Sequence, residues 1–245
     1  LAQILDRLVL PREKVNPVVT LDPGSASQNN IDLLKERGLG YLINITRGSR
    51  TRQAKDFAAG GFTLVPGRDA KDPVEVKTLD DPDQPGGFLI LCRSALRREK
   101  EIAMLSRAET RLLADIASLR KNIEEGRIKK RDVIERRIGR LQKKHPRVAR
   151  FYTLVHKNGT LSATRDDEKH RDANDLCGDY VLKTDQSMDA TKIWSLYMVL
   201  LQAEEGFSCL KGTLGLRPNF HQLESRVEAH IFISVLAYHL LTWVR

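Results

Sequence analysis

Two acidic residues, Asp22 and Glu204, occur in sequence patterns that could support metal-dependent or proton-transfer chemistry. Glu204 lies in a predicted helix over residues 190–212, where it shares one face with Tyr197 and Lys211. The rest of that face is mostly apolar, and a carboxylate is costly to bury unless it is paired or binds a metal. Glu204 is therefore a candidate ligand. The simpler alternative is that it lies at the edge of the apolar stripe and reaches water.

Asp22 follows an apolar, β-branched run over residues 15–21, which predicts a buried strand. In α/β sheets, ligand-binding groups lie at the carboxyl ends of strands, where Asp22 would stand. The sequence Asp22-Pro23-Gly24 also has the composition of an ordinary turn. Asp22 can thus be interpreted as a site residue or as a turn residue.

The helix around Glu204 resembles the signature helix of insertion-sequence DDE transposases of the IS-four superfamily. In that helix a Tyr is followed, at fixed intervals, by an Arg, a Glu and a Lys. Tyr197, Glu204 and Lys211 fall on this spacing. Leu200 stands where the Arg would be, which is similar to a branch of the superfamily with Leu there.

Two further stretches resemble the same family. Asp22 and Gly24 match the strand that ends in the second catalytic Asp, although Pro23 stands where a small residue or Arg is usual. Residues 178–184 match a Gly-x-Tyr-x-Leu-x-Thr strand that precedes the signature helix.

The resemblance implies an α/β fold with a ribonuclease-H-like core, in which three carboxylates bind two Mg²⁺ or Mn²⁺ ions for DNA strand cleavage and transfer. It makes Asp22 and Glu204 the second and third catalytic carboxylates and metal ligands, about 4–8 Å apart. Glu205 is a weaker choice because it points about 100° away on the helix. Apart from Asp6, no Asp precedes Asp22, so we expect an incomplete core whose early strands are missing.

The resemblance also implies DNA contacts. Tyr197 and Lys211 would lie near the phosphates, and Arg217 and His221, with His230, would be auxiliary groups. The implied partner is double-stranded DNA at transposon ends, with a homodimer as an option and no membrane. The implied location is the bacterial cytoplasm, at the nucleoid.

A basic helical segment lies between these motifs. Apolar residues at heptad spacing over residues 95–125, a break at Gly126, and a second pattern over 130–144 predict an antiparallel helical hairpin. Residues 93–150 contain 19 Lys and Arg against 8 Asp and Glu, whereas the whole chain has a net charge of +9. A solvated charged face is one interpretation. The other is phosphate contact, for which the candidates are Arg136, Arg137, Arg140 and Lys144.

We therefore expect three segments: the first part of the core (1–60), an inserted α+β segment with short strands and the hairpin at 95–145 (61–185), and the signature helix with a following helix (186–245). The apolar run 231–244 is shorter than a membrane span and predicts a buried helix. The three cysteines form neither a zinc motif nor a disulfide framework, which favours a reducing compartment.

Two other functions remain open. The chain could be a catalytically inactive DNA-binding remnant of such a transposase. It could instead be a coiled-coil interaction protein whose partner surface is the 95–145 hairpin. Salt-dependent DNA binding would distinguish the first of these from the second.

Overall fold

The computed structural model describes residues 1–7, 17–45, 47–67 and 73–244, without the side chains of residues 47 and 49. Eight strands occur in this part of the chain: β1 (Val18–Leu21), β2 (Gly40–Asn44), β3 (Thr63–Val65), β4 (Val74–Asp80), β5 (Phe88–Ser94), β6 (Tyr152–Lys157), β7 (Thr160–Arg165) and β8 (Asp179–Thr184). The same residues form a 3₁₀ helix (Arg47–Thr51) and these α-helices: α1 (Ala2–Arg7), α2 (Gln28–Glu36), α3 (Ala54–Ala58), α4 (Ala95–Glu124), α5 (Arg131–Lys144), α6 (Pro146–Ala149), α7 (Asp167–Asp175), α8 (Ala190–Lys211) and α9 (Glu224–Val244).

The strands form a six-stranded sheet in the order β1-β2-β8-β5-β4-β3 and a two-stranded sheet of β6 and β7. The large sheet is mixed, because β1 and β2 are parallel whereas β3 and β4 are antiparallel. The expected α/β class is therefore confirmed. Apolar spacing over residues 1–10 predicts a short helix that would include Leu8 and Val9, and these two residues lie outside the described residues, as does Val15 of the predicted first strand.

The chain divides into two compact units. The first unit contains Leu1–Asn44, Thr78–Ile90 and Lys183–Arg245, and the second contains Ile45–Lys77 and Leu91–Leu182. Strands β4, β5 and β8 therefore contribute residues to both units.

In the first unit, β2 is a continuous apolar run whose residues Tyr41, Leu42 and Ile43 are fully buried. Such a run is typical of a parallel strand that is covered on both faces. Helix α2 connects β1 to β2 and is capped by Ser27, whose side chain accepts a hydrogen bond from the Asn30 amide. Gly38, at φ +66°, follows the helix. This β-α-β unit positions the residues that follow β1 and β2.

In the second unit, α4 and α5 form the expected hairpin, and Gly126 lies between them at φ +69°. Their apolar stripes meet in one buried core that includes Leu112, Ile116 and Ile134. Burial of these apolar stripes stabilises the hairpin.

Glu109 is the one polar residue in the heptad stripe of α4, and the structure explains its presence. Its carboxylate accepts a 2.6 Å hydrogen bond from the Tyr152 hydroxyl and lies 3.3 Å from His170 Nε2 and 3.5 Å from Arg165. Burial tends to raise the pKa of Glu109, but the Tyr152 hydrogen bond and the charges of His170 and Arg165 hold it below its ordinary value. The side chain therefore stays ionised inside a polar network.

The sequence Asn158-Gly159 between two β-like runs predicts a hairpin turn, and β6 and β7 are joined by that turn, with both residues at positive φ. Three short elements were not expected: β3, α6 and α7. The sequence predicts a strand from Ala149 to Val155, but α6 extends to Ala149 and β6 begins only at Tyr152. Pro146 supplies the fixed φ that suits the first turn of α6.

Helix α9 differs most from expectation. It is 21 residues long, begins at Glu224 rather than near 231, and of its residues only Ser234 is buried. Large apolar side chains such as Phe232, Leu240 and Trp243 face outward. The expectation of a buried helix is wrong for this structure. Of the helices in the described ranges, α9 alone has the length and apolar composition of a membrane span, which by itself is weak support for one.

Candidate functional site

Asp22 stands directly after β1, as the strand pattern predicts. Its carboxylate is exposed, and Oδ1 accepts a 2.9 Å hydrogen bond from the Ser25 amide, so the residue closes a turn as well as ending a strand. The hydrogen bonds from Ser25 lower the pKa of Asp22 below its ordinary value. An ionised, accessible carboxylate at the end of a strand meets the first requirement for a metal ligand.

The parallel register of β1 and β2 brings Asp22 beside Asn44. Leu21 is paired with Ile43, so Asp22 and Asn44 are the next residues along neighbouring strands, which lie about 4.8 Å apart. The Asn44 side-chain amide donates a 2.8 Å hydrogen bond to the Tyr197 hydroxyl. Within the first unit, β1 is therefore linked to the helix that carries Tyr197 through its neighbour β2.

Helix α8 has the limits that the sequence predicts, Ala190–Lys211. Burial of the face that carries the signature residues decreases along the helix. Tyr197 is buried, whereas Glu204, seven residues later on the same face, is exposed. Seven residues correspond to about 10.5 Å along a helix, so the Asn44–Tyr197 bond does not by itself bring Glu204 to Asp22. Within the described residues, the Glu204 carboxylate makes no hydrogen bond or ion pair.

The end of α8 presents one cation, Lys211, which is exposed and lies 5.9 Å from the centre of the Phe207 ring. The ring is 59% exposed, so the end of the signature face is open to solvent. This geometry leaves the Lys211 ammonium available to an anionic partner.

The connection between α8 and α9 contains the auxiliary candidates. Arg217 and His221 are exposed, and the His221 ring contacts the His230 ring at 5.5 Å between centres. His230 Nε2 lies 3.1 Å from the Gly215 carbonyl oxygen. This contact links the α8–α9 connection to the first part of α9. His230 therefore has a local structural contact, whereas the Arg217 side chain is exposed to solvent.

The two helices approach each other closely at Gly206. A Cβ atom there would lie 2.6 Å from the Tyr238 hydroxyl, and Gly206 and Ser234 are both buried. This contact holds the exposed part of α8, with Glu204, against α9.

The described residues hold no group of three or more His, Cys, Asp or Glu side chains that could bind a metal ion. Asp22 and Glu204 are two candidate carboxylates, and the described residues add no third carboxylate to them. The side chains present therefore do not complete the two-ion site that the family resemblance implies.

The strand motif before α8 has a structural explanation at three of its positions. A Cβ atom on Gly178, which has φ +87°, would lie 2.6 Å from the Ser94 carbonyl oxygen and from the Arg98 side chain. The Arg97 guanidinium lies 4.6 Å from the Tyr180 ring centre, in the same unit. In the first unit, the Thr184 hydroxyl donates a 2.6 Å hydrogen bond to the Tyr41 carbonyl.

The basic hairpin has a shallow groove between α4 and α5. Its volume is about 270 Å³, and Arg137, Arg140 and Lys144 line it from α5. Arg137 and Arg140 are exposed, whereas the Lys144 ammonium forms a 2.7 Å ion pair with Asp115, which His145 also contacts at 2.7 Å. Arg136 is exposed, and its Nε donates a hydrogen bond to the Asp132 carbonyl at 3.2 Å. Two arginines of the predicted set thus face the groove without being neutralised by Asp115.

Basic residues recur at helical spacing from Arg136 to Arg150, which predicts one continuous ridge, but the observed ridge is shorter. Helix α5 ends at Lys144, so Arg147 and Arg150 do not continue it. Both residues instead line a larger cavity of the second unit, with a volume of about 780 Å³. Its wall combines Arg50 and Glu101 with Arg150, residues far apart in sequence, so no local pattern could have revealed it.

Comparison with known proteins identifies no relative: no family profile, no curated protein and no solved structure matches this chain.

Proposed function

We propose that this chain is part of the catalytic region of a DDE transposase, with an incomplete ribonuclease-H-like core, acting in DNA transposition by two-metal phosphodiester cleavage and strand transfer. The observation that supports this most directly is that two motifs distant in sequence are linked through one residue of β2. Asp22 ends β1 beside Asn44, and Asn44 binds Tyr197 of the signature helix.

The proposal assigns a separate task to each side chain. Asp22 is ionised and exposed, and Glu204 is exposed and unpaired within the described residues, so both can act as oxygen ligands. The Mg²⁺ or Mn²⁺ ions would supply activation of the attacking hydroxyl and stabilisation of the leaving oxygen. Tyr197 is too buried to contact DNA broadly, and its bond to Asn44 favours a positioning role.

Two features of the first unit support an incomplete core. Among the described residues, β1 is at the edge of the six-stranded sheet, where a further strand could pair with it. Helix α9 exposes large apolar side chains that a complete core would cover. A third carboxylate would then come from the added strands.

The hairpin supplies the proposed DNA contacts. Arg137 and Arg140 line one groove, and because they are three residues apart on α5 they lie on the same side of the helix, where both can contact DNA phosphates. Lys211 and Arg217 provide exposed cations in the other unit. We propose double-stranded DNA as the partner, and the cytoplasm of a bacterium as the location.

A second candidate function is a DNA-binding remnant without catalytic activity. It is favoured by the absence, among the described residues, of a group of three potential metal ligands. This alternative keeps the basic groove and gives Asp22 only its turn contact with Ser25.

The test is a nicking assay with Mg²⁺ on duplex DNA that carries the element's own ends. This chain should cleave poorly, because misplacing a metal by about 1 Å can cost on the order of 100-fold in rate. A chain extended upstream should cleave and should lose cleavage with Asp22→Ala or Glu204→Ala. Glu205→Ala, adjacent on the helix, is the matched control and should retain it. Cleavage that survives Glu204→Ala would overturn the proposal, and DNA binding without cleavage by the extended chain would favour the remnant.

A further inference from the structure

The second unit contains a cavity of about 780 Å³ that the proposed DNA-processing function does not use. This volume falls within the range of about 300–1,000 Å³ that is typical of small-molecule sites. The cavity lies between the start of α4, the α6 segment and α7. All of its lining residues belong to one compact unit.

The floor of the cavity is apolar. Leu105 and Phe151 are buried, Leu176 is half-buried, and Met104 is 42% exposed at the opening. A ligand that enters this cavity would therefore place an apolar body against these side chains and gain from their burial.

The rim is basic. Arg147 has no ion pair or hydrogen bond from its side chain within the described residues, and Arg150 contacts only the Phe151 ring, at 4.8 Å from its centre. The acids of the wall are partly compensated, because Glu101 is bound by Arg50 at 3.0 Å. Asp172 is the exposed acid, and Lys169 is paired with Asp166. Arg147 and Arg150 thus outnumber Asp172, the one wall acid without an ion pair among the described residues, so the cavity keeps a positive charge for an anionic ligand.

The two arginines indicate which anionic group the cavity would bind. Its planar fork of donors matches the oxygens of a phosphate, and two such forks favour a phosphate monoester over a singly charged carboxylate. Arginine also stacks on planar rings, and the Arg150 guanidinium already does so on Phe151. A ligand that combines a flat, apolar ring with a phosphate would contact both the apolar floor and the arginines of the rim.

We propose that this cavity binds a nucleoside monophosphate, with its phosphate at Arg147 and Arg150 and its base over Met104 and Leu105. The site is independent of the carboxylates Asp22 and Glu204, which lie in the other unit. Failure of DNA cleavage would therefore leave this proposal standing, and loss of nucleotide binding would leave the proposed function standing.

The test is isothermal titration calorimetry with AMP, and with adenosine and inorganic phosphate as comparators. AMP should bind one site per chain, and adenosine and phosphate should each bind at least about tenfold more weakly, because each lacks one half of the contacts. Equal affinity for phosphate and AMP would show an anion site without a base pocket and would overturn the proposal. Absence of AMP binding would do the same.

Variants locate the site. Arg147→Ala with Arg150→Ala should weaken AMP binding by about tenfold or more, because two charge-assisted hydrogen-bonding groups are removed. Arg107→Ala with Arg131→Ala removes the same charge from exposed positions outside the cavity and should change the affinity less than about twofold. An equal loss of affinity in both pairs would reduce the effect to general electrostatics and contradict the site.

A third variant distinguishes loss of AMP binding from loss of folding. Met104→Glu places an acid at the opening, on an exposed position of α4 where the helix tolerates it. Thermal unfolding should be close to that of the unmodified chain, whereas AMP affinity should fall by about tenfold. Unchanged AMP affinity in a folded Met104→Glu protein would overturn the proposed position of the base.

Discussion

The Asn44 side-chain amide donates a 2.8 Å hydrogen bond to the Tyr197 hydroxyl, and this bond joins the end of β2 to α8. Asn44 is also the β2 neighbour of the position that Asp22 occupies after β1. A single polar contact thus connects the three elements on which the candidate site depends.

Removing this hydrogen bond should weaken the first unit. We expect Asn44→Ala to lower the free energy of unfolding by about 0.5–1.5 kcal/mol, the usual net contribution of a hydrogen bond. A double-mutant cycle with Tyr197→Phe, measured by urea unfolding, should give a coupling energy of at least about 0.5 kcal/mol. Gln202→Ala, on the exposed side of the same helix, is the control and should leave stability nearly unchanged. Strict additivity of the two changes would show that the bond contributes nothing.

Gly178 should be intolerant of a side chain. Gly178→Ala places Cβ 2.6 Å from the Ser94 carbonyl at φ +87°, so we expect unfolding free energy to fall by about 1–3 kcal/mol. Gly139→Ala is the matched control, because Gly139 lies within α5 with nothing within 4 Å of the added atom. The Gly139→Ala protein should be more stable than the unmodified chain by about 0.4–1 kcal/mol. The comparison requires only two thermal or urea melts, and equal effects would contradict the close approach at Gly178.

The Glu109 network should make stability depend on pH. Its folded-state pKa is below the ordinary value of 4.5, so its contribution is complete above that value and disappears as pH falls through the folded pKa. We expect Glu109→Gln to flatten the decline of unfolding free energy below pH 4.5. Glu124→Gln, exposed near the end of the same helix, is the control. A decline that is as steep in Glu109→Gln as in the unmodified chain would assign the acid sensitivity to other carboxylates.

The hairpin groove should determine the salt dependence of DNA binding. Arg137→Ala with Arg140→Ala should reduce the slope of log affinity against log salt by about 0.9 for each DNA phosphate that the protein no longer neutralises. Adding Arg136→Ala and Lys144→Ala extends the series, although removal of Lys144 also breaks the ion pair with Asp115.

The control for this series is Lys157→Ala with Lys192→Ala, which removes two exposed charges outside α4 and α5. The control slope should stay close to that of the unmodified chain. If the groove variants and the control behave alike, Arg137 and Arg140 belong to a solvated face rather than to a DNA-binding surface.

Local patterns predicted most of the long elements correctly. Helix α8 begins after Asp189, whose side chain caps the helix, and ends before Gly212, so both limits carry sequence signals. The α4–α5 hairpin follows from its apolar heptads and from Gly126. Helix α7 was missed because it has no buried residue, and thus no apolar period. Strand β3 was missed because it is short and Leu64 is 65% exposed.

The candidate site was harder to predict from the sequence than the helices and strands were. Asp22 could be placed at the end of β1, but its neighbour Asn44 depends on the register of two strands, which no local pattern encodes. The exposure of α9 was mispredicted because an apolar composition indicates burial without saying what covers the helix. The cavity at Arg147 and Arg150 was missed because it depends on contacts between distant segments.

The central claim is that Asp22 and Glu204 belong to one metal site. The most direct measurement is a crystal structure of the protein, extended upstream, grown with Mn²⁺ and measured by anomalous diffraction. We predict a manganese ion at about 2.0–2.2 Å from a carboxylate oxygen of Asp22 or Glu204, with the two carboxylates about 4–8 Å apart. Carboxylates more than about 12 Å apart could not share a pair of ions that are about 3.5–4 Å apart, and that result would contradict the assignment.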